Sequence, residues 1–125
     1  MMDKHLLLAV FHIAAVVPLF LYVGFSRAAT PEAVYNVLFA LGIIILAYHG
    51  FKAVVRYFAK SSGLWINLIH MFLVAPLVLW IGYQGKKTER PFYEMLLLLG
   101  FSALGYHLYN LVILSETFVK PSDAK

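Results

Sequence analysis

The chain has 125 residues, of which 62% are hydrophobic and 13% charged, with a mean hydropathy of +0.82. That is more apolar surface than a soluble core of this length can hide, so a water-soluble globular enzyme is excluded and a bilayer is the implied solvent. The net charge of +4 comes without a basic stripe long enough for nucleic acid, and the absence of cysteine rules out structural disulfides, thiolate metal sites and covalently attached heme.

A short segment, Met1 to His5, precedes the first apolar stretch at residues 6–25. With the small residues Ala28 and Ala29 downstream it has the outline of a signal peptide, but its likeness to a later stretch argues that it is retained. Ser26 to Ala33 make a polar linker in which Thr30 and Pro31 are placed to cap and start the second helix, over residues 34–58. Lys60, Ser61, Ser62 and Gly63 form a tight polar turn before the third stretch, residues 64–83. Gln84 to Pro91 form the next linker, where Pro91 starts a fourth stretch over residues 92–114. Lys120 to Lys125 read as a solvated tail. Each stretch has the roughly 20 residues that an α-helix needs to cross about 30 Å of hydrocarbon, and none shows the strict alternation of a barrel strand. The expected fold is an all-α, polytopic membrane protein with four transmembrane helices.

The second half repeats the first. Residues 6–57 set against 64–115 give 16 identities in 52 positions without a gap. His12 falls on His70, His49 on His107, Pro18 on Pro76, Gly24 on Gly82, Thr30 on Thr88, Tyr35 on Tyr93, Gly42 on Gly100 and Tyr48 on Tyr106. Chance agreement between two leucine-rich segments would match leucines and would not pick out His, Pro, Gly and Tyr, so the chain reads as a tandem duplication. Residues 1–60 form one helical hairpin and 61–119 a second. An even number of helices per repeat makes the two hairpins parallel, related by a pseudo-two-fold axis along the membrane normal. Lys4, Lys52, Arg56, Lys60, Lys120 and Lys125 lie on the side of the termini, against Arg27, Lys86, Lys87 and Arg90 opposite. This bias puts both termini in the cytoplasm.

The symmetry gives the histidines a shared depth. His12 lies about 17 residues before the middle of the first hairpin loop and His49 about 19 after it, so at 1.5 Å per residue they stand within roughly 3 Å of one level. The same holds for His70 and His107. Ionisable groups inside a membrane usually face the bundle interior and mark function. They also serve as plain interhelical hydrogen-bond glue, which a duplication would copy with everything else. Gly42 and Gly100, seven residues before His49 and His107, lie on nearly the same face, where the missing side chain allows close helix approach or a flat ligand.

Among ligands, heme b suits these residues best. Bis-imidazole ligation takes two neutral histidines on opposed helices, and either His12 with His70 or His49 with His107 would supply them. A single layer means a single heme, and Lys52 and Arg56, one to two turns toward the termini from His49, are placed for its propionates. An ion of zinc, copper or iron held by all four imidazoles is the second form. No carboxylate shares the layer to orient the rings. Tyr48 and Tyr106 are the hydroxyls at hand, and Asn67 stands one turn before His70. A histidine-gated proton or ion channel and a non-catalytic structural membrane protein are the alternatives.

Pro18 and Pro76 each remove a helix hydrogen bond and imply a matched kink. Glu94 stands where Arg90 could pair with it. Tyr22, Trp80, Tyr83, Phe92 and Tyr93 gather at the loop side as an aromatic belt. Nothing resembles a nucleophile with a base and an orienter, paired catalytic carboxylates or a phosphate-binding glycine loop, so no catalytic residue is assigned. The implied partners are the lipid bilayer, a second copy of the chain meeting its exposed faces, and, for an electron carrier, a redox partner protein.

Over residues 64–110, through Asn67, His70, Pro76, Gly82, Gly100, Tyr106 and His107, the chain resembles small uncharacterised multi-pass membrane proteins of large DNA viruses of algae and protists. That resemblance implies a viral-membrane or host-modifying role and says nothing about a ligand.

Overall fold

The structure, a computed structural model, describes residues 4–119; the tail expected at 120–125, with Lys120 and Lys125, lies outside the described residues. Among the described residues the fold is all-helical. Helices α1 (Lys4–Ala29), α2 (Glu32–Phe58) and α3 (Leu64–Lys87) are followed by α4 (Arg90–Val119). All four are long and apolar enough to cross a membrane. Large apolar side chains point outward, among them Phe51, Phe58, Phe72 and Leu98, a surface that hydrocarbon tolerates and water does not.

Before each of the two prolines the helix changes form. Pro18 and Pro76 have no N–H to offer and their rings crowd the preceding turn, so each helix widens there into a π-helical turn, His12–Val16 in α1 and His70–Val74 in α3. Val17 N–H reaches back to His12 O, and Ala75 N–H to His70 O. Both π turns therefore begin at a histidine of the predicted layer.

The polar turn between the halves ends α2 as a Schellman motif. Ser61 N–H bonds Arg56 O at 2.9 Å and Lys60 N–H bonds Tyr57 O at 3.2 Å, with Lys60 in the left-handed region at φ 53°. At the opposite end, Pro31 occupies the cap position of α2 without a side-chain cap bond, and Thr30, expected to cap, is instead fully buried. α4 begins at Arg90, with Pro91 in its first turn. Its Glu94 carboxylate accepts from Arg90 Nε at 2.7 Å on an exposed face, the pairing expected from the sequence.

The helices pack across the two halves of the chain. The main backbone approaches are α1 on α4 and α2 on α3, so each helix of one hairpin packs chiefly on the other hairpin. Glycines make this closeness possible. A β-carbon on Gly82 would stand 2.6 Å from the Phe39 backbone nitrogen across the α2/α3 contact, and one on Gly24 would overlap Leu97 across α1/α4. Between the two pairs lies the apolar core, with Val16, Phe20 and Val23 from α1, Leu38 from α2, Val74 and Val78 from α3 and Leu96 from α4.

At the loop end the core closes on two tyrosines. Tyr35 and Tyr93 are buried, and their hydroxyls meet at 2.7 Å. Tyr35 donates to Arg27 O at 2.7 Å and Tyr93 reaches Gly85 O at 3.3 Å. Tyr93 therefore belongs to the core, whereas Tyr22, Trp80 and Tyr83 stand exposed as a belt should. A membrane-interface position would leave the phenol wet; here the partner tyrosine satisfies it in the interior. Lys86 ties the two loops together, donating to Ala28 O at 3.0 Å and Thr30 O at 2.9 Å.

Each loop turns on one residue with positive φ, Gly85 at φ 58°, ψ −132° and Arg27 at φ 51°, ψ −129°. That region suits glycine and strains arginine, whose β-carbon meets its own backbone there. The Arg27→Gly variant is expected to gain about 1 kcal/mol of stability. Thermal unfolding in detergent followed by circular dichroism should show the higher midpoint, with Gly85→Ala shifted the opposite way.

Candidate functional site

The four histidines, taken from four different helices, meet between those helices. The His49 and His70 rings stack at 4.0 Å with planes 13° apart, and His12 and His107 stack at 4.3 Å and 20°. His12 and His70 then face each other edge to face, their centres 6.4 Å apart and their planes at 77°. The order across the bundle is His107, His12, His70, His49. All four rings are half-buried.

The inner two are held by their own helices. His12 Nδ1 bonds Leu8 O at 2.7 Å, and His70 Nδ1 bonds Ile66 O at 2.7 Å. A carbonyl only accepts, so Nδ1 carries the proton in both rings, and in the neutral imidazole the lone pair is left on Nε2. Tying one ring nitrogen to a carbonyl is how proteins orient a metal-binding histidine and raise its basicity. His49 is held differently: its Nδ1 donates to Asn67 Oδ1 at 2.9 Å. Asn67, expected beside His70, thus serves the neighbouring ring, and its Nδ2 has no partner although the residue is only 2% exposed.

Stacking decides how many nitrogens one ion can reach. A ligating lone pair lies in its ring plane, and two nearly parallel planes about 4 Å apart share no point within the 2.0–2.1 Å of a metal–nitrogen bond. The expected four-imidazole ion site is therefore not formed by these rings. Among the described residues no group of three or more His, Cys, Asp or Glu side chains is placed to hold a metal ion. What the layer offers is the pair His12 and His70, each with Nδ1 bonded to a carbonyl, their ring centres 6.4 Å apart.

Other expected site residues have different work. Gly42 and Gly100 receive Leu79 and Leu21: a β-carbon there would lie 2.7 Å and 2.9 Å from those side chains. They allow close helix approach, the first of the two uses expected of them. Arg56 spends its Nη1 on Gly63 O at 3.1 Å, bracing the turn between the halves, while Lys52 stands near the cations Lys4 and Arg56 at the terminal side. Tyr48 and Tyr106 are exposed and stand edge-on to their neighbours His49 and His107, at 5.1 Å and 5.2 Å between ring centres. Ring stacking and the Asn67–His49 bond were not legible beforehand, because both depend on rotation about the helix axes. The π turns carried a signal in the spacing of His12 to Pro18 and His70 to Pro76, six residues in each case. No protein-family model, no curated protein and no solved structure matches this chain.

Proposed function

We propose that this protein is a duplicated hairpin that crosses the membrane four times, with both termini cytoplasmic, and holds a redox-active metal between His12 and His70. The observation that carries the reading is the 6.4 Å facing pair with both Nδ1 atoms already committed to carbonyls. Heme b is the preferred form, since the porphyrin supplies four nitrogens and asks the protein for the two that this layer offers. A two-coordinate bare ion, copper foremost, is the other form of the same centre.

When bound, such a heme supplies one-electron transfer. The protein's part is to hold the two rings by Leu8 O and Ile66 O, to keep water out with the Val16, Val74 and Phe20 core, and to close the loop side with the Tyr35–Tyr93 pair. Lys52 and Arg56 put positive charge on the terminal side, where propionates and a redox partner protein would meet it.

The test is an absorption spectrum and a metal analysis of the full-length protein purified in detergent. A reducible Soret band is expected, lost in the His12→Ala/His70→Ala double variant and kept in His49→Ala/His107→Ala. Copper without a Soret band, lost in the same double variant, assigns the bare ion. Colourless, metal-free protein sinks both forms. It would leave a structural component of a membrane, viral by the sequence resemblance, or a proton channel, which pH-driven flux in liposomes would reveal.

A further inference from the structure

The charged side chains divide unevenly between the two ends of the bundle. Among the described side chains, Glu32, Glu89 and Glu94 all stand at the loop end, and so does the one ion pair, Arg90 with Glu94. Asp3, Glu116 and Asp123 lie outside the described side chains. The terminal end carries Lys4, Lys52, Arg56 and Lys60, and the first three gather between α1 and α2: Lys52 has Lys4 of α1 and Arg56 of its own helix as close cationic neighbours. Lys4 stands eight residues from His12 and Arg56 seven from His49, both toward the termini, so at 1.5 Å per residue their backbones share one level to within about 2 Å. Lys52 starts deeper, three residues from His49, and reaches them along a flexible stem. Cations gathered in this way repel one another, and an anion among them turns that cost into attraction. The duplicated scaffold does not impose the cluster, because the positions matching Lys4, Lys52 and Arg56 are Ser62, Asn110 and Leu114, none of them charged. Toward the middle of the membrane, one and two turns from Lys4 on its helix face, stand Leu7 and Phe11; the same steps from Lys52 reach Tyr48 and Ile44, and all four are exposed.

We propose that Lys4, Lys52 and Arg56 form a seat for the phosphate headgroup of one anionic phospholipid at the terminal end of the α1/α2 seam, and that the second repeat has no such seat. The phosphate is recognised by charge, with the ammonium groups and the guanidinium N–H groups that Arg56 does not spend on Gly63 O donating to its oxygens. The acyl chains lie along the exposed apolar side chains beneath. An anion free in water has no use for that surface, and a neutral lipid has none for the cations. With the termini cytoplasmic, this end meets the anionic cytoplasmic leaflet, which attracts basic groups at its surface. The seat needs no metal at the histidines.

The experiment is native mass spectrometry of the full-length protein in detergent, titrated with a phosphatidylglycerol and with a phosphatidylcholine carrying the same acyl chains. The wild type is expected to hold one phosphatidylglycerol about tenfold more tightly than phosphatidylcholine, and Lys4→Gln/Lys52→Gln to cut that preference about fivefold or more. Lys4→Arg/Lys52→Arg, which keeps both charges, should keep the preference. Arg27→Gly/Lys87→Gln, which takes two cations from the loop end, should leave it unchanged. Equal affinity of the wild type for the two lipids overturns the proposal, and so does an equal loss in the loop-end variant, which would assign the preference to net charge. Inorganic phosphate that competes the lipid away at millimolar concentration assigns a site for free anions and overturns the lipid reading. None of these readouts involves the Soret band, so this seat and the histidine centre stand or fall separately.

Discussion

Replacing Gly82 with alanine is expected to lower stability by about 2–3 kcal/mol, the largest effect of any single methyl group in this fold. The added carbon would stand 2.6 Å from the backbone nitrogen and 2.8 Å from the α-carbon of Phe39. Neither atom can rotate away, so α2 and α3 must separate. At Gly42 and Gly24 the nearest atoms belong to leucine side chains, which have rotamers to spare, and alanine there should cost less. Gly105 supplies the control: nothing lies within 4 Å of its added carbon, and Gly105→Ala should be neutral or gain up to about 1 kcal/mol of helix propensity. Because α2 and α3 carry His49 and His70, their separation would also unstack those rings. Thermal unfolding in detergent measures the first effect, and loss of the slowly exchanging His49 Nδ1–H that Asn67 holds, read in nitrogen-15 spectra, measures the second. A Gly82→Ala protein as stable as wild type would mean that α2 and α3 do not approach as described.

Removing either phenolic oxygen of the loop-side pair should cost about 1–2 kcal/mol, and removing both should cost less than the sum. Tyr35→Phe takes away the donor to Arg27 O and the partner of Tyr93; Tyr93→Phe takes away the second donor to the buried cluster. Sub-additivity follows because the two variants delete one shared hydrogen bond, 2.7 Å long, in an environment with no water to replace it. The carbonyls are not wholly stranded: Thr30 N–H still serves Arg27 O, and the Thr88 hydroxyl and N–H serve Gly85 O, which keeps the loss moderate. The readout is a double-mutant cycle of unfolding free energies in one detergent. Strict additivity would show that the two hydroxyls do not share a proton.

Much of this architecture could be read from the chain. Four apolar runs separated by Pro31, Gly63 and Pro91 announced four helices, because a helix in hydrocarbon needs length and apolar cover and little else. The common level of His12, His49, His70 and His107 was also readable, since position along a helix is counted in residues at 1.5 Å each. What could not be read was anything that turns on rotation about an axis. Tyr93 looked like a belt residue by its place near the loop and proved to be half of the buried tyrosine pair. Asn67 looked like a neighbour of His70 by helical spacing and bonds His49 across an interface instead.

The amino-acid sequence by itself determined the apolar character of the chain, the number of helices long and apolar enough to cross a membrane, the residue identities shared at a 58-residue offset and the positions of the imidazoles along their helices. Each of these is a property of one segment or of two segments laid side by side. Only the tertiary structure decided that α1 packs on α4 and α2 on α3, that the four rings stack in two doublets, and that His12 and His70 are the facing pair. The physical reason is that packing depends on which small residue meets which bulky one across an interface, as Gly82 meets Phe39, and that complementarity exists in no segment taken alone.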